Sequence, residues 1–436
     1  MPTAKLAEKT NGLVKETQSL TSRLGPGLIT GAADDDPSGI ATYSQAGAQF
    51  RFALVWTLFL TTPLMIGIQM LSARIGWVTG VGLATNIGKL CPRWLTVSLI
   101  GLLVVANTIN IAADVAAMAE AIKLLVGGPQ PLYVLAIGAL CIGMQVFFSY
   151  ERTVRVLKWL TLVLFAYVAV ILVVKVPWGD AISQSIRPWA FLPAKATGKE
   201  YAAMVVAVLG TTISPYLFFW QATQEVEDSR RRGKRKDLRR HPAYVRRHLL
   251  RIKIDTIVGM GFSNLVALCI VVATAVTLNQ HGIVNIQTSA QAAEALRPVA
   301  GNFAFLIFSL GIVGTGLLAV PVLAGSAAYA VSELFGWKAG LSRGFHEARG
   351  FYWIIIAATG IGSAMGFFDL DPIKALVLSA IVNGVISVPI MVVLMLIGQS
   401  QTLMGRFTIS GRHRWFGWAA TGVMAAAVAT MFATGT

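Results

Sequence analysis

Apolar segments long enough to cross a bilayer recur along the whole chain, and this recurrence limits the possible folds more than any other feature. They lie at Leu24 to Phe50, Phe52 to Leu71, Trp94 to Leu125, Leu132 to Ser149, Leu157 to Val176 and Tyr201 to Ala222, then at Ile254 to Leu278, Asn302 to Phe335, Phe351 to Phe368, Ile373 to Ile397 and Trp415 to Ala433. A hydrocarbon core needs about 20 apolar residues of helix, so these are 11 expected spans. Charged residues make up only 13% of the 436, against about a quarter in a soluble domain. A soluble enzyme is thereby excluded, and no nucleophile paired with a base is apparent. An outer-membrane barrel is excluded too, because barrel strands alternate instead of running continuously apolar. The expected fold class is an all-α polytopic membrane protein.

The net charge of +16 would suggest nucleic acid in a soluble chain, but its distribution gives a different explanation. With the N-terminus inside, 28 of the 36 Lys and Arg fall on the inner side and 8 on the outer. Removing the Arg-rich stretch from Arg230 to Lys253 still leaves 16 against 8, so the positive-inside rule does not depend on one loop. The expected location is the cytoplasmic (inner) membrane, with the N-terminus in the cytoplasm and the C-terminus outside. No nucleic-acid partner is expected. The basic loop suits anionic lipid head groups or a regulatory partner, but a topology anchor explains it without either. Residues Met1 to Ser22 are polar and carry no cleavable signal peptide. Cys91, Cys141 and Cys269 lack paired spacing, so no disulfide framework or thiolate cluster is expected.

Polarity enters the membrane at a few places. The first span contains Asp34, Asp35 and Asp36 followed by Pro37 and Gly39, and a carboxylate near the bilayer centre is costly unless it faces protein, water or an ion. Proline removes a backbone donor, so the helix is expected to unwind around Asp36 to Gly39, exposing carbonyls beside a carboxylate as a hard cation requires. The alternative is a span boundary lying in water. The sixth span carries Pro215 after Thr211, Thr212 and Ser214, either a second such break or a packing kink. Breaks in the first and sixth spans predict two inverted five-helix repeats meeting at a midplane site, plus an eleventh helix. The corresponding division is a tail over 1–23, a core over 24–397 with repeats at 24–176 and 201–397 and a basic loop at 229–253, and a final loop and helix over 398–436.

Asn107, Asn110 and Asp114 share one face of the third span and either line the same cavity or hydrogen-bond between helices. Asn383, between Ser379 and Ser387, forms a weaker stripe on the tenth. All five histidines fall in loops or at their edges, and Asp255 is expected to pair with Arg251 or Lys253. Glu225, Glu227 and Asp228 need no more than a solvated helix end. The candidate ligands are thus carboxylate, amide, hydroxyl and backbone oxygen, which suit Mg²⁺, Ca²⁺ or Mn²⁺ over softer metals.

At these residues the sequence resembles the NRAMP family of divalent metal transporters. That family carries Asp-Pro-Gly-Asn in its first span and Met-Pro-His in its sixth. Here the motifs read Asp36-Pro37-Ser38-Gly39 and Ser214-Pro215-Tyr216, so the aspartate and both prolines match while the asparagine, methionine and histidine do not. The resemblance implies a LeuT-like fold. The three departures are similar to the NRAMP-related magnesium transporter branch, in which a widened site holds a partly hydrated ion and proton coupling is lost. By position the resemblance implies that Asp36, Gly39, Thr211 and Ser214 frame the ion. Asp114, Asn110 and Asn383 are added from helical geometry.

The expected function is import of Mg²⁺, and of Mn²⁺, by alternating access as a monomer, with no resident cofactor. The alternatives are a proton-coupled Mn²⁺ or Fe²⁺ transporter using Asp36 and Asp114 as proton carriers, an amino-acid or other organic-solute symporter of the same fold, and a sensor acting through the basic loop.

Overall fold

The computed structural model describes residues 26–148, 160–190, 197–231, 242–367, 371–409 and 411–435. The expected N-terminal tail and residues 232–241 of the basic loop lie outside them. Among the described residues, eight helical runs are long and apolar enough to cross a membrane, which makes this a multi-pass membrane protein. The three other expected spans escape that count for identifiable reasons. The first is split into α1 (Pro26–Asp34) and α2 (Pro37–Phe50), neither long enough alone. The fifth begins within 149–159, outside the described residues, and ends in α7 (Phe165–Val173). The ninth is a helix of 17 residues.

Between these run α3 (Val55–Thr79), the short α4 (Leu83–Leu90), α5 (Arg93–Val126) and α6 (Gln130–Phe147). After α7 the chain turns by 110° into α8 (Trp178–Ile186). The sixth span is α9 (Gly198–Thr212), opened by a Thr197–Glu200 capping box, followed by α10 (Pro215–Arg231). Then come α11 (Pro242–Thr277), α12 (Ala304–Phe335), α13 (Arg349–Met365), α14 (Pro372–Gln399) and α15 (Arg412–Ala433).

Both broken spans are built alike. Each helix stops, two residues run free, and a proline opens the next helix, where its fixed φ fits and its missing N–H would have had no partner. The first gap is therefore Asp35–Asp36, starting one residue and ending three residues earlier than the sequence suggested. Gly39 belongs to the first turn of α2.

The two halves of each broken span sit in the middle of the bundle. α1 and α2 pack on α11, α9 packs on α14, and α10 packs on α3 and α12. Close approach at two crossings depends on glycine. A Cβ at Gly31 would collide with the Gly259 backbone of α11, and one at Gly210 with the Ala380 carbonyl and Gly384 of α14. α5 packs against α12, α13 and α14, which brings its polar face to the breaks.

The basic loop is shorter than the sequence suggested, because α11 begins at Pro242. Val245, His248 and Ile252 point inward while Arg246, Arg247 and Leu250 stay exposed, an amphipathic turn of helix.

Candidate functional site

Asp36 is the N-cap of α2, in extended conformation, and its carboxylate serves two purposes. Oδ1 accepts from the Gly39 amide at 2.7 Å and from Ser38 Oγ at 2.7 Å, closing the cap. Oδ2 turns toward the bundle centre and accepts from Asn110 Nδ2 of α5 at 3.1 Å and the Tyr216 hydroxyl of α10 at 3.4 Å. The Tyr216 hydroxyl also lies 3.2 Å from the Ala33 carbonyl, so one proton is shared across the first break. Asn110 is held in turn by Ser379 of α14, whose hydroxyl donates to its Oδ1 at 2.8 Å. The first, third and sixth spans thus meet at one carboxylate, and the tenth joins them through Asn110.

Asp34, Asp35, Asp36 and Asp114 are 0, 2, 1 and 0% exposed. None of them forms an ion pair with a described residue. Asp34 and Asp35 are bridged by the Ser263 hydroxyl of α11, at 2.6 and 3.0 Å. Asp114 lies within electrostatic range of Asp36 and faces the Ser38 amide, yet neither of its oxygens has a hydrogen bond of normal geometry, and Asn383 Oδ1 is likewise buried without a donor. These are acceptor oxygens in search of donors, in a region closed to bulk water.

The other expected site residues fall around this centre in different ways. Thr211 Oγ1 would lie 3.3 Å from a Cβ at Gly39, so Thr211 and Gly39 face each other across the two breaks. Ser214 Oγ turns back on its own helix, donating to the Gly210 and Thr211 carbonyls at 2.7 and 2.9 Å, and it does not touch Asp36. Asn383 lies one turn beyond Ser379 and one before Ser387, which donates to the Ile213 carbonyl in the second break at 2.6 Å. Among the described residues no group of three or more His, Cys, Asp or Glu side chains forms a ready-made cage, so any cation here draws on amide, hydroxyl and water oxygens as well. One soft group stands nearer than expected: the buried Cys141 thiol of α6 is within electrostatic range of Asp114.

Tyr216 and Ser263 as partners of the acids, and Ser379 as the partner of Asn110, were not evident from the sequence. For Tyr216 the signal was its place directly after the second proline. The acids ending α10 also differ from expectation. Glu225 and Glu227 are buried rather than solvated. Arg251 bonds Glu225 at 2.8 Å and Asp228 at 3.1 Å, and His248, inside α11 rather than in a loop, lies 3.4 Å from Glu225 and stacks on Trp77. The Tyr329 hydroxyl donates to Glu227 at 2.5 Å. Asp255 accepts from the Gly27 amide at 2.8 Å at the start of α1, while its charge also acts on Arg251. These contacts tie α1, α10 and α11 together at the end carrying most of the basic residues.

Comparison with known proteins matches residues 27–434 to the natural resistance-associated macrophage protein-like (Nramp) family. The divalent metal cation transporter MntH of Acidiphilium cryptum is 26% identical over 408 residues, covering 89% of this chain and 84% of that protein. The MntH of Verminephrobacter eiseniae is 26% identical over 376 residues, covering 82% and 76%. Among solved structures, a manganese transporter of Eremococcus coleocola superposes with TM-score 0.70 at 17% identity, covering 93% of this chain and 85% of that one. The inward-facing form of Mhp1 gives 0.55 at 14% identity, covering 94% and 88%. At such identities the structural likeness establishes the fold, which is LeuT-like.

Proposed function

The chain belongs to the Nramp family, and from that premise we propose that it is a divalent metal cation transporter that imports Mg²⁺, and also Mn²⁺, as a partly hydrated ion. The relatives named as divalent metal cation transporters support the broader part of this reading. The narrower part rests on one observation: buried Asp114, which lies within electrostatic range of Asp36, has no hydrogen bond of normal geometry at either oxygen, and Oδ1 of Asn383 on α14 has no donor among the described residues. The waters around Mg²⁺ are donors, and Mg²⁺ gives them up reluctantly. A hydrated ion therefore supplies what these oxygens lack, with Asp36 as the central charge and Asn110, Gly39, Thr211 and Ser214 around it.

Methionine and histidine are absent from the second break, where Ser214 and Tyr216 stand, which weakens any preference for softer metals. Uptake needs no proton partner on energetic grounds. An inside-negative potential contributes about 4.6 kcal/mol per 100 mV to a divalent ion. The Lys and Arg bias supports a location in the cytoplasmic membrane with the N-terminus inside, and the proposed unit of transport is the monomer.

A competition assay in proteoliposomes tests the ion preference. Excess external Mg²⁺ is expected to suppress Mn²⁺ uptake, and Mn²⁺ uptake indifferent to Mg²⁺ contradicts it. One observation favours a second reading: four buried carboxylates have no cationic partner among the described residues. Such groups can carry protons, as in a proton-coupled Mn²⁺ transporter.

A further inference from the structure

A cavity of about 320 Å³ lies at the basic end between α3, α11 and α15, away from the breaks. Four potentially cationic side chains line it: Arg74 of α3, Arg246 and Lys253 of α11, and His413 of α15. The rest of the lining is apolar, including Met70, Leu249 and Ile409, and no acidic side chain among the described residues is part of it. Among the described residues the Arg74 Nε is buried without a hydrogen-bond partner, and its guanidinium reaches only the Thr408 carbonyl, at 3.5 Å. Arg74, Lys253 and Arg412 all lie within electrostatic range of His413. Like charges gathered around an apolar hollow repel one another unless an anion sits among them.

The surface running away from the cavity identifies the kind of anion. Leu250, which lines the cavity, is followed along α11 by Ile254, Ile257 and Val258, and these side chains are 52, 54, 39 and 47% exposed. Spacings of four, seven and eight place them on one face, and in a membrane-spanning helix an exposed apolar face meets acyl chains. The cationic hollow is thus continuous with a greasy ridge that descends toward the bilayer interior.

We propose that this cavity binds the phosphate head group of an anionic phospholipid from the leaflet at the basic end. One acyl chain lies along the ridge from Leu250 to Val258. Arg74 and Lys253 hold the phosphate from two helices, so the lipid clamps α11 to α3 and α15. This site is separate from the ion site and does not depend on which metal is carried.

Native mass spectrometry of the full-length protein in detergent tests the proposal, with phosphatidylglycerol, phosphatidylcholine and inorganic phosphate as probes. Phosphatidylglycerol is expected to stay bound where phosphatidylcholine does not. Arg246→Gln with Lys253→Gln changes two exposed side chains and is expected to weaken phosphatidylglycerol binding roughly thirtyfold, at about one charge's worth of surface attraction for each residue. Lys338→Gln with Arg343→Gln, elsewhere at the same end, is expected to leave it unchanged. Arg74→Gln removes the half-buried cation and is expected to lower binding further; should that variant fail to fold, the exposed pair decides the matter. Equal retention of both lipids overturns the proposal, as does undiminished binding to the Arg246 and Lys253 double variant. Inorganic phosphate displacing the lipid at equal concentration also overturns it, since the cavity would then be a site for soluble anions.

Discussion

Replacing Asp36 by asparagine removes one charge at the junction of the two breaks while preserving the shape of the side chain, so its effect separates electrostatics from packing. Asparagine caps helices as well as aspartate does, and its Oδ1 can keep the bonds from the Gly39 amide and Ser38 Oγ. The new amide would face the Asn110 Nδ2 donor, now 3.1 Å from Oδ2, so one amide must turn, at a cost of about 1 kcal/mol for a lost hydrogen bond. The fold should survive.

The loss for the ion is larger. Unit charges 4 Å apart attract by about 4 kcal/mol at an effective dielectric near 20, so a divalent ion held through water at that distance loses on the order of 8 kcal/mol. Rearranged water and the remaining Asp114 charge offset most of this. A quarter of it, about 2 kcal/mol, still lowers affinity roughly thirtyfold. Titration calorimetry with Mg²⁺ on the detergent-purified variant measures the effect, and the thermal midpoint checks folding. Affinity within about threefold of the parent, a difference below 1 kcal/mol, in a normally folded variant would refute the assignment of Asp36 as the ion's central charge.

Three further outcomes are expected. Gly39→Asn restores the family residue, but its Cβ starts 3.2 Å from the Asp34 carbonyl and 3.3 Å from Thr211 Oγ1; it narrows the site and should lower the ratio of Mg²⁺ to Mn²⁺ uptake, whereas an unchanged ratio contradicts the view that this space holds water. Arg251→Met strips the guanidinium from Glu225, whose side chain is 0% exposed, and breaking such a pair costs about 3 kcal/mol. The thermal midpoint should fall by several degrees and recover in part when Glu225→Gln is added; an unmoved midpoint shows the cluster to be inert. Cys91 is half-buried while Cys141 and Cys269 are buried, so a maleimide should react at Cys91 alone in the folded protein. Burial pushes its thiol above the usual range, so labelling should accelerate as pH rises through that range. An impermeant reagent should reach Cys91 only after the cells are opened, and labelling of intact spheroplasts would invert the proposed orientation.

Much of the central architecture was legible because it breaks local rules. Two prolines inside apolar segments announced both breaks, and the spacing of Asn107, Asn110 and Asp114 announced the polar face of α5. The exact gap was misplaced because a proline prefers to open a helix, which moves the unwound residues ahead of Pro37 instead of around it. Contacts set only by packing left no periodic trace. Ser263 reaches Asp34 and Asp35 across 228 residues or more, and nothing local distinguishes it from any other serine in a span. The cluster of Arg251, Glu225 and His248 was missed for a different reason. The first turns of α11 were counted as loop, although Val245, His248 and Ile252 already carried a helical spacing.

Under the proposed function, this site moves a hydrated Mg²⁺ ion without a proton. Purified protein in liposomes loaded with an Mg²⁺-sensitive dye and a pH dye, under an inside-negative potential, reads both ions at once. Mg²⁺ entry with no acidification is expected. Mn²⁺ entry with acidification and no Mg²⁺ signal would contradict it and assign the buried carboxylates to proton transfer.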